Sequence, residues 1–191
     1  MAKLLLSFLL LSMLNCSSLQ KQPTLTEEAK KVITIEKFPE DWLGKYEGKL
    51  EVYRPGSIKN TFPADVTLTI ATTPDSSRWE WTTIYTSEAR EPIEKKYFLI
   101  QPDTLPVNQF LLEEDNGIFI NEYLFGNTFS SAYSVNDQFF TVTSNKEADN
   151  MVQELTVFSG TPNETVEVEE GFEVGKFELQ TIQKIRFKKV I

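Results

Sequence analysis

Nucleophilic and metal chemistry draw most often on histidine and cysteine, and this 191-residue chain has no His and a single Cys, Cys16. Serine and cysteine triads lose their usual base, so an enzyme of that kind is not expected. Zinc, copper and haem sites lose their usual ligands, so no metal and no cofactor is expected. What remains is oxygen, on 28 Asp and Glu side chains. Glu113-Glu114-Asp115-Asn116 gathers several of them but lacks the ligand spacing of an EF-hand, and Asn116-Gly117 reads better as a hairpin turn among solvated acids. Carboxylate pairs for glycoside hydrolysis can be drawn in many ways, and none has a signature. The chain is read as a non-enzyme.

Glu122 is the acid with the most to say. In Ile118-Phe119-Ile120-Asn121-Glu122-Tyr123-Leu124-Phe125 it shares parity with Ile118, Ile120 and Leu124, while Asn121 shares parity with Phe119 and Tyr123. Neither face is cleanly polar, so one polar residue should point inward. A buried carboxylate must find a partner or raise its pKa, because a charged, unpaired one costs several kcal/mol. Glu122 is therefore a candidate for holding a ligand, with Tyr133, Thr181 and Gln183 as companions. The alternative that stays open is an exposed strand residue.

The elements that would position these groups are strands. Lys45-Tyr46-Glu47-Gly48-Lys49-Leu50-Glu51-Val52 alternates charge with apolar or small residues, and Asp65-Val66-Thr67-Leu68-Thr69-Ile70 repeats the pattern. Turn signals such as Pro55-Gly56, Asn116-Gly117, Gly126-Asn127 and Asn136-Asp137 fall between the runs. About ten strands are expected, near 45–53, 65–71, 78–86, 93–101, 109–113, 118–125, 128–135, 138–144, 151–159 and 177–189. So many short antiparallel strands must close or stack to hide their edges. The fold expected is all-β, an antiparallel up-and-down barrel of about 8–10 strands. Residues 160–176 read as an acidic loop or ragged hairpin. Parity puts Trp79, Trp81, Tyr133, Thr181 and Gln183 on the inner face, where with Glu122 they could line a site for a small apolar ligand. A core simply filled by aromatics is the competing reading.

The first residues have a different character. Lys3 precedes an apolar run from Leu4 to Leu14, too short to span about 30 Å of hydrocarbon and suited to a signal peptide. Met13-Leu14-Asn15-Cys16 resembles a bacterial lipobox, with Asn15 where most such families place Gly, Ala or Ser. The resemblance implies cleavage before Cys16 and acylation of its thiol, and stable membrane anchoring needs two or more such chains. Residues 1–15 are thus expected to be a lipoprotein signal peptide, 16–40 a lipidated tether with a short helix near 26–34, and 41–191 the barrel. Ser17 after Cys16 implies, by enteric-type sorting, the periplasmic face of the outer membrane in a Gram-negative cell.

Trp42-Leu43-Gly44-Lys45-Tyr46-Glu47-Gly48 opening the first strand, with Gln183-Lys184-Ile185-Arg186-Phe187 in the last, resembles the calycin superfamily of lipocalin-like barrels. That resemblance implies Trp42 packed across one barrel end with Arg186 lying over it. The net charge of -9 disfavours nucleic acid and adsorption through a basic patch. The function expected is a lipid-anchored bacterial envelope lipoprotein, non-enzymatic, that binds a small apolar ligand in its barrel. The alternative is a structural or protein-interaction lipoprotein with a filled barrel and an unknown protein partner.

Overall fold

The computed structural model of the chain describes residues 35–57 and 63–190. Cys16, the signal peptide, and the expected helix near 26–34 lie outside the described residues. The strands are β1 (Gly44–Tyr53), β2 (Ala64–Thr72), β3 (Arg78–Ser87), β4 (Arg90–Ile100), β5 (Gln109–Glu114), β6 (Phe119–Phe125), β7 (Thr128–Val135), β8 (Gln138–Glu147), β9 (Asn150–Ser159), β10 (Glu164–Glu169), β11 (Phe172–Lys176) and β12 (Leu179–Lys189). Ten of them form a closed antiparallel barrel in which each strand from β1 to β9 pairs with the next and β12 joins β9 to β1. β10 and β11 form a separate two-stranded hairpin within the stretch read as 160–176.

The alternation in the sequence becomes the inside and outside of this wall. Tyr46, Leu50 and Val52 of β1 and Val66, Leu68 and Ile70 of β2 are buried in the core. The outward residues are charged and pair across strands: Lys49 with Asp65 at 2.5 Å, Arg186 with Glu51 at 2.7 Å and Lys184 with Glu154 at 2.8 Å. Exposed pairs of this kind contribute about 0–1 kcal/mol each, so they favour register more than stability.

The seam between β1 and β12 is closed by a close approach. Gly48 stands opposite Phe187, and a Cβ placed on Gly48 would lie 2.6 Å from the carbonyl oxygen of Arg186 and 3.0 Å from Ile185. Backbone cannot yield as a side-chain tip can. Gly48→Ala should therefore destabilise the barrel by about 1–3 kcal/mol. Chemical denaturation is the check, with faster amide exchange confined to β1 and β12 as its local signature.

One end of the barrel is stoppered by the segment before β1. Backbone turns close it, with Trp42 N and Leu43 N both donating to the Pro39 carbonyl. The Phe38 ring meets Trp79 at 4.9 Å, Phe129 at 5.1 Å and Phe110 at 5.4 Å, all edge-on. Trp42, fully buried, packs on Phe129 at 5.0 Å. Edge-to-face contacts at these separations contribute beyond the area they bury.

Polar contacts fasten this stopper to the turns around it. Glu36 N donates to Asn127 Oδ1 at 2.7 Å, between β6 and β7, and the Glu36 carboxylate accepts from Ala148 N at 3.0 Å, between β8 and β9. Lys146, also buried, reaches the same corner, donating to the Ala148 carbonyl and lying 3.7 Å from Glu36. The opposite end, where β7 turns into β8 through Asn136 in the left-handed region (φ 52°), is the mouth. The β10–β11 hairpin lies there too, because it links the ends of β9 and β12.

Candidate functional site

Above the stopper the barrel is not filled. A cavity of about 130 Å³ lies against β3 to β9 and β12. It avoids β1 and β2, whose inward Tyr46, Leu50, Leu68 and Ile70 belong to the packed core. Five aromatic rings form much of its wall: Trp81, Tyr85, Tyr97, Phe129 and Tyr133. Apolar area is supplied further by Leu99, Leu112, Ile120 and Ile185.

Polar groups are interspersed with this apolar surface: Thr83, Ser131, Ser144, Gln153 and Gln183, two carboxylates, and the phenols of three of the rings. Glu122 is 8% exposed and makes no ion pair among the described residues. Burial pushes its pKa from 4.5 up to about 7, with Ser131 acting weakly in the other direction. The Ser131 hydroxyl lies close enough to favour the ionised form, yet it is buried and has no partner in hydrogen-bond geometry. On the opposite wall Gln153 Nε2 donates to Ser144 Oγ at 3.2 Å, joining β9 to β8. Glu114, at the mouth end of β5, stands opposite Tyr97 of β4. Burial and then the Glu114 charge push Tyr97 up to about 12, and burial, then Glu114, then Glu122 raise Tyr133. These phenols keep their protons at neutral pH and offer O–H donors to whatever enters.

The residues read from the sequence divide cleanly. Trp81, Glu122, Tyr133 and Gln183 line the cavity together. Trp79 does not, because it lies on β3 two residues nearer the closed end and is spent against Phe38 and, at 6.3 Å, Phe110. Thr181 shares parity with Gln183 but sits nearer the mouth, beside a register shift between Leu179 and Thr181, and is outside the cavity wall. Trp42, fully buried against Phe129, lies at the closed barrel end. Arg186 does not lie over it: its parity is opposite to the inward Ile185 and Phe187, and its guanidinium pairs with Glu51 outside.

Thr83, inward by the same parity as Trp81, lines the wall as its sequence position implies, whereas Tyr85, Tyr97 and Glu114 are wall residues that parity had not singled out. Tyr85 continues the parity of Trp81, and Glu114 that of Phe110 and Leu112, so the signal is present. Among the described residues no group of three or more Cys, Asp or Glu side chains is placed to hold a metal ion.

No family model matches the chain, and no curated protein matches it. Among solved structures the barrel is similar to a protein of unknown function from the DUF3598 family of Nostoc punctiforme, at a TM-score of 0.51 and 13% identity. The similarity covers 79% of this chain and 48% of that one, so this chain spans about half the length of its neighbour. At that identity the likeness concerns the fold alone.

Proposed function

We propose that the chain is a non-enzymatic, lipid-anchored envelope protein whose calycin-like barrel binds a small, largely apolar ligand. The observation that carries the binding half is the cavity, in a barrel stoppered at one end by Phe38 and Trp42, walled by aromatic and aliphatic side chains with polar groups among them. Concave wells in which polar groups orient an occupant held by apolar walls are the usual form of small-molecule sites. Its volume of about 130 Å³ sets the scale. A cavity near 150 Å³ admits a benzene-sized molecule, and drug-sized ligands need about 300 Å³ or more. The occupant is therefore small, or it is the buried end of something longer that leaves through the mouth.

The open upper barrel weighs against the filled-barrel alternative. The calycin likeness is supported by the ten-strand meander and by Trp42 at the closed end. The anchoring half rests on Cys16 following its apolar run.

Filling the cavity tests the binding half. Ser131→Leu removes an unpartnered hydroxyl and places a side chain where the ligand would sit. It should abolish Trp81 fluorescence changes on titration with a neutral aromatic such as benzyl alcohol while leaving the protein folded, with stability raised by about 1 kcal/mol. Unchanged binding in that variant, or no binding by the parent protein, would refute the reading. Cys16→Ser should move the protein from the membrane to the soluble fraction, and mass spectrometry should find acyl chains on the parent Cys16 only.

A further inference from the structure

The walls of the cavity have a sign. Among the described residues Glu114 and Glu122 are the charged side chains that line it, and no Lys or Arg does. We propose that the cavity is built for a small protonated amine with an apolar or aromatic body, its ammonium group held against Glu122. This rests on the ligand-binding reading above and narrows it to a chemical class.

Four observations converge on it. Glu122 is a buried carboxylate without a cation among the described residues, and beside it stands the Ser131 hydroxyl, close enough to favour the ionised form. Burying that carboxylate without a counter-ion carries a desolvation cost that an incoming N–H donor group would offset. Trp81, Tyr85, Tyr97 and Tyr133 surround the same space, and the faces of such rings attract ammonium groups, most strongly where water is excluded. The cations that could have served Glu122 from within are otherwise placed: Lys146 points inward from β8 but is held by Glu36 and the Ala148 carbonyl at the closed end, and Lys95 is exposed on β4, nearer the mouth than Tyr97. Finally, Asp115 and Asp137 sit in turns at the mouth, and Glu167, Glu169 and Glu173 on the adjoining hairpin, where with Glu88, Glu91 and Glu94 they outnumber Arg54, Arg90, Lys95 and Lys176 among the described residues, so the entrance favours cations over anions. A carboxylate ligand would meet two like charges and, among the described wall residues, no counter-ion, which disfavours it on both rate and affinity.

The groups facing Glu122 set the pH dependence. They are Glu114 from β5, Ser131 and Tyr133 from β7, Tyr85 from β3 and Tyr97 from β4, with Ser144 and Gln153 across the cavity. Tyr85, Tyr97 and Tyr133 all titrate above their ordinary range, so Glu122, at about 7, is the group that changes charge near neutrality. Amine binding should be strongest above neutrality, where Glu122 is ionised, and weaken as acid protonates it.

Calorimetric titration of the full chain with three probes of one shape decides the matter: benzylammonium, benzyl alcohol and benzoate. At about pH 8 benzylammonium should bind about tenfold or more tightly than benzyl alcohol, with benzoate weakest. Lowering the pH to about 5 should weaken benzylammonium by about tenfold or more and leave benzyl alcohol unchanged. Glu122→Gln should bring benzylammonium down to the level of benzyl alcohol without affecting the latter. If benzyl alcohol or benzoate binds as tightly as benzylammonium to the parent protein, the amine class is wrong and the ligand-binding reading stands. If none of the three binds, both fall. The parent-protein comparison needs no variant, so a poorly folding Glu122→Gln would not protect the proposal.

Discussion

Trp42→Ala should lower the unfolding free energy by about 3–5 kcal/mol, the range for deleting a large aromatic from a packed core. The indole is fully buried, meets Phe129 at 5.0 Å, Phe38 at 6.2 Å and Trp81 at 6.3 Å, and belongs to the stopper at the closed end. Nothing nearby can collapse into the gap without unseating Phe38, which is itself held by Trp79 and Phe110. Trp42→Phe behaves differently. The Trp42 Nε1 has no hydrogen-bond partner among the described residues, so phenylalanine loses contact area but also removes a buried donor that costs about 1–3 kcal/mol to leave unpaired. Its net effect should fall within about 1 kcal/mol of the parent. Urea unfolding followed by fluorescence measures both. A loss under about 1 kcal/mol for Trp42→Ala would mean that the stopper contributes little to holding the barrel together.

The second large effect is a pH-dependent gain from Glu122→Gln. Glu122 titrates near 7 in the folded chain against 4.5 in the unfolded one, so the folded state holds its proton more tightly. Below about pH 4 both states are protonated and the group is without penalty. As pH rises through the interval between the two values, the unfolded chain ionises first and the stability supplied by the proton is lost. Above about pH 7 both forms are ionised and the loss is complete, at about 3 kcal/mol for a shift of this size. Glutamine has nearly the same shape and no charge to bury. The variant should match the parent at about pH 4 and exceed it by about 2–3 kcal/mol at about pH 8. Parallel unfolding curves across that range would show that Glu122 carries no penalty, and the buried, unpaired carboxylate would have to be abandoned.

Much of the barrel was legible because its physics is local. A two-residue period sorts inside from outside on each strand, and the expected run 128–135 is β7 as it stands, with Phe129 and Ser131 turned inward. The same period was visible in Thr165-Val166-Glu167-Val168-Glu169, which is a strand, although the many acids drew attention to solvation first. What parity cannot supply is depth along the barrel. Trp79 and Trp81 share a face, but one packs against the stopper and the other lines the cavity, and that difference depends on where Phe38 arrives from outside the pattern. β4 is hard to divide for a local reason: its alternating run is only Lys96-Tyr97-Phe98-Leu99, with two aromatics on opposite faces, and Arg90 to Lys95 before it are all exposed. Arg186 shows the limit of resemblance. Its neighbours Ile185 and Phe187 already fixed its side of the sheet, and the implied contact with Trp42 ran against them.

The pairing of β1 with β12 also determines when the molecule can be finished. Arg186 and Glu51, which meet across that seam, are 135 positions apart in the chain. During synthesis the first strand waits with one hydrogen-bonding edge bare until the last strand has been made, and contacts so distant in sequence form slowly. Closure is thus expected to be the late and rate-limiting event of folding, and a nascent or C-terminally clipped chain would expose two open edges ready to join those of its neighbours.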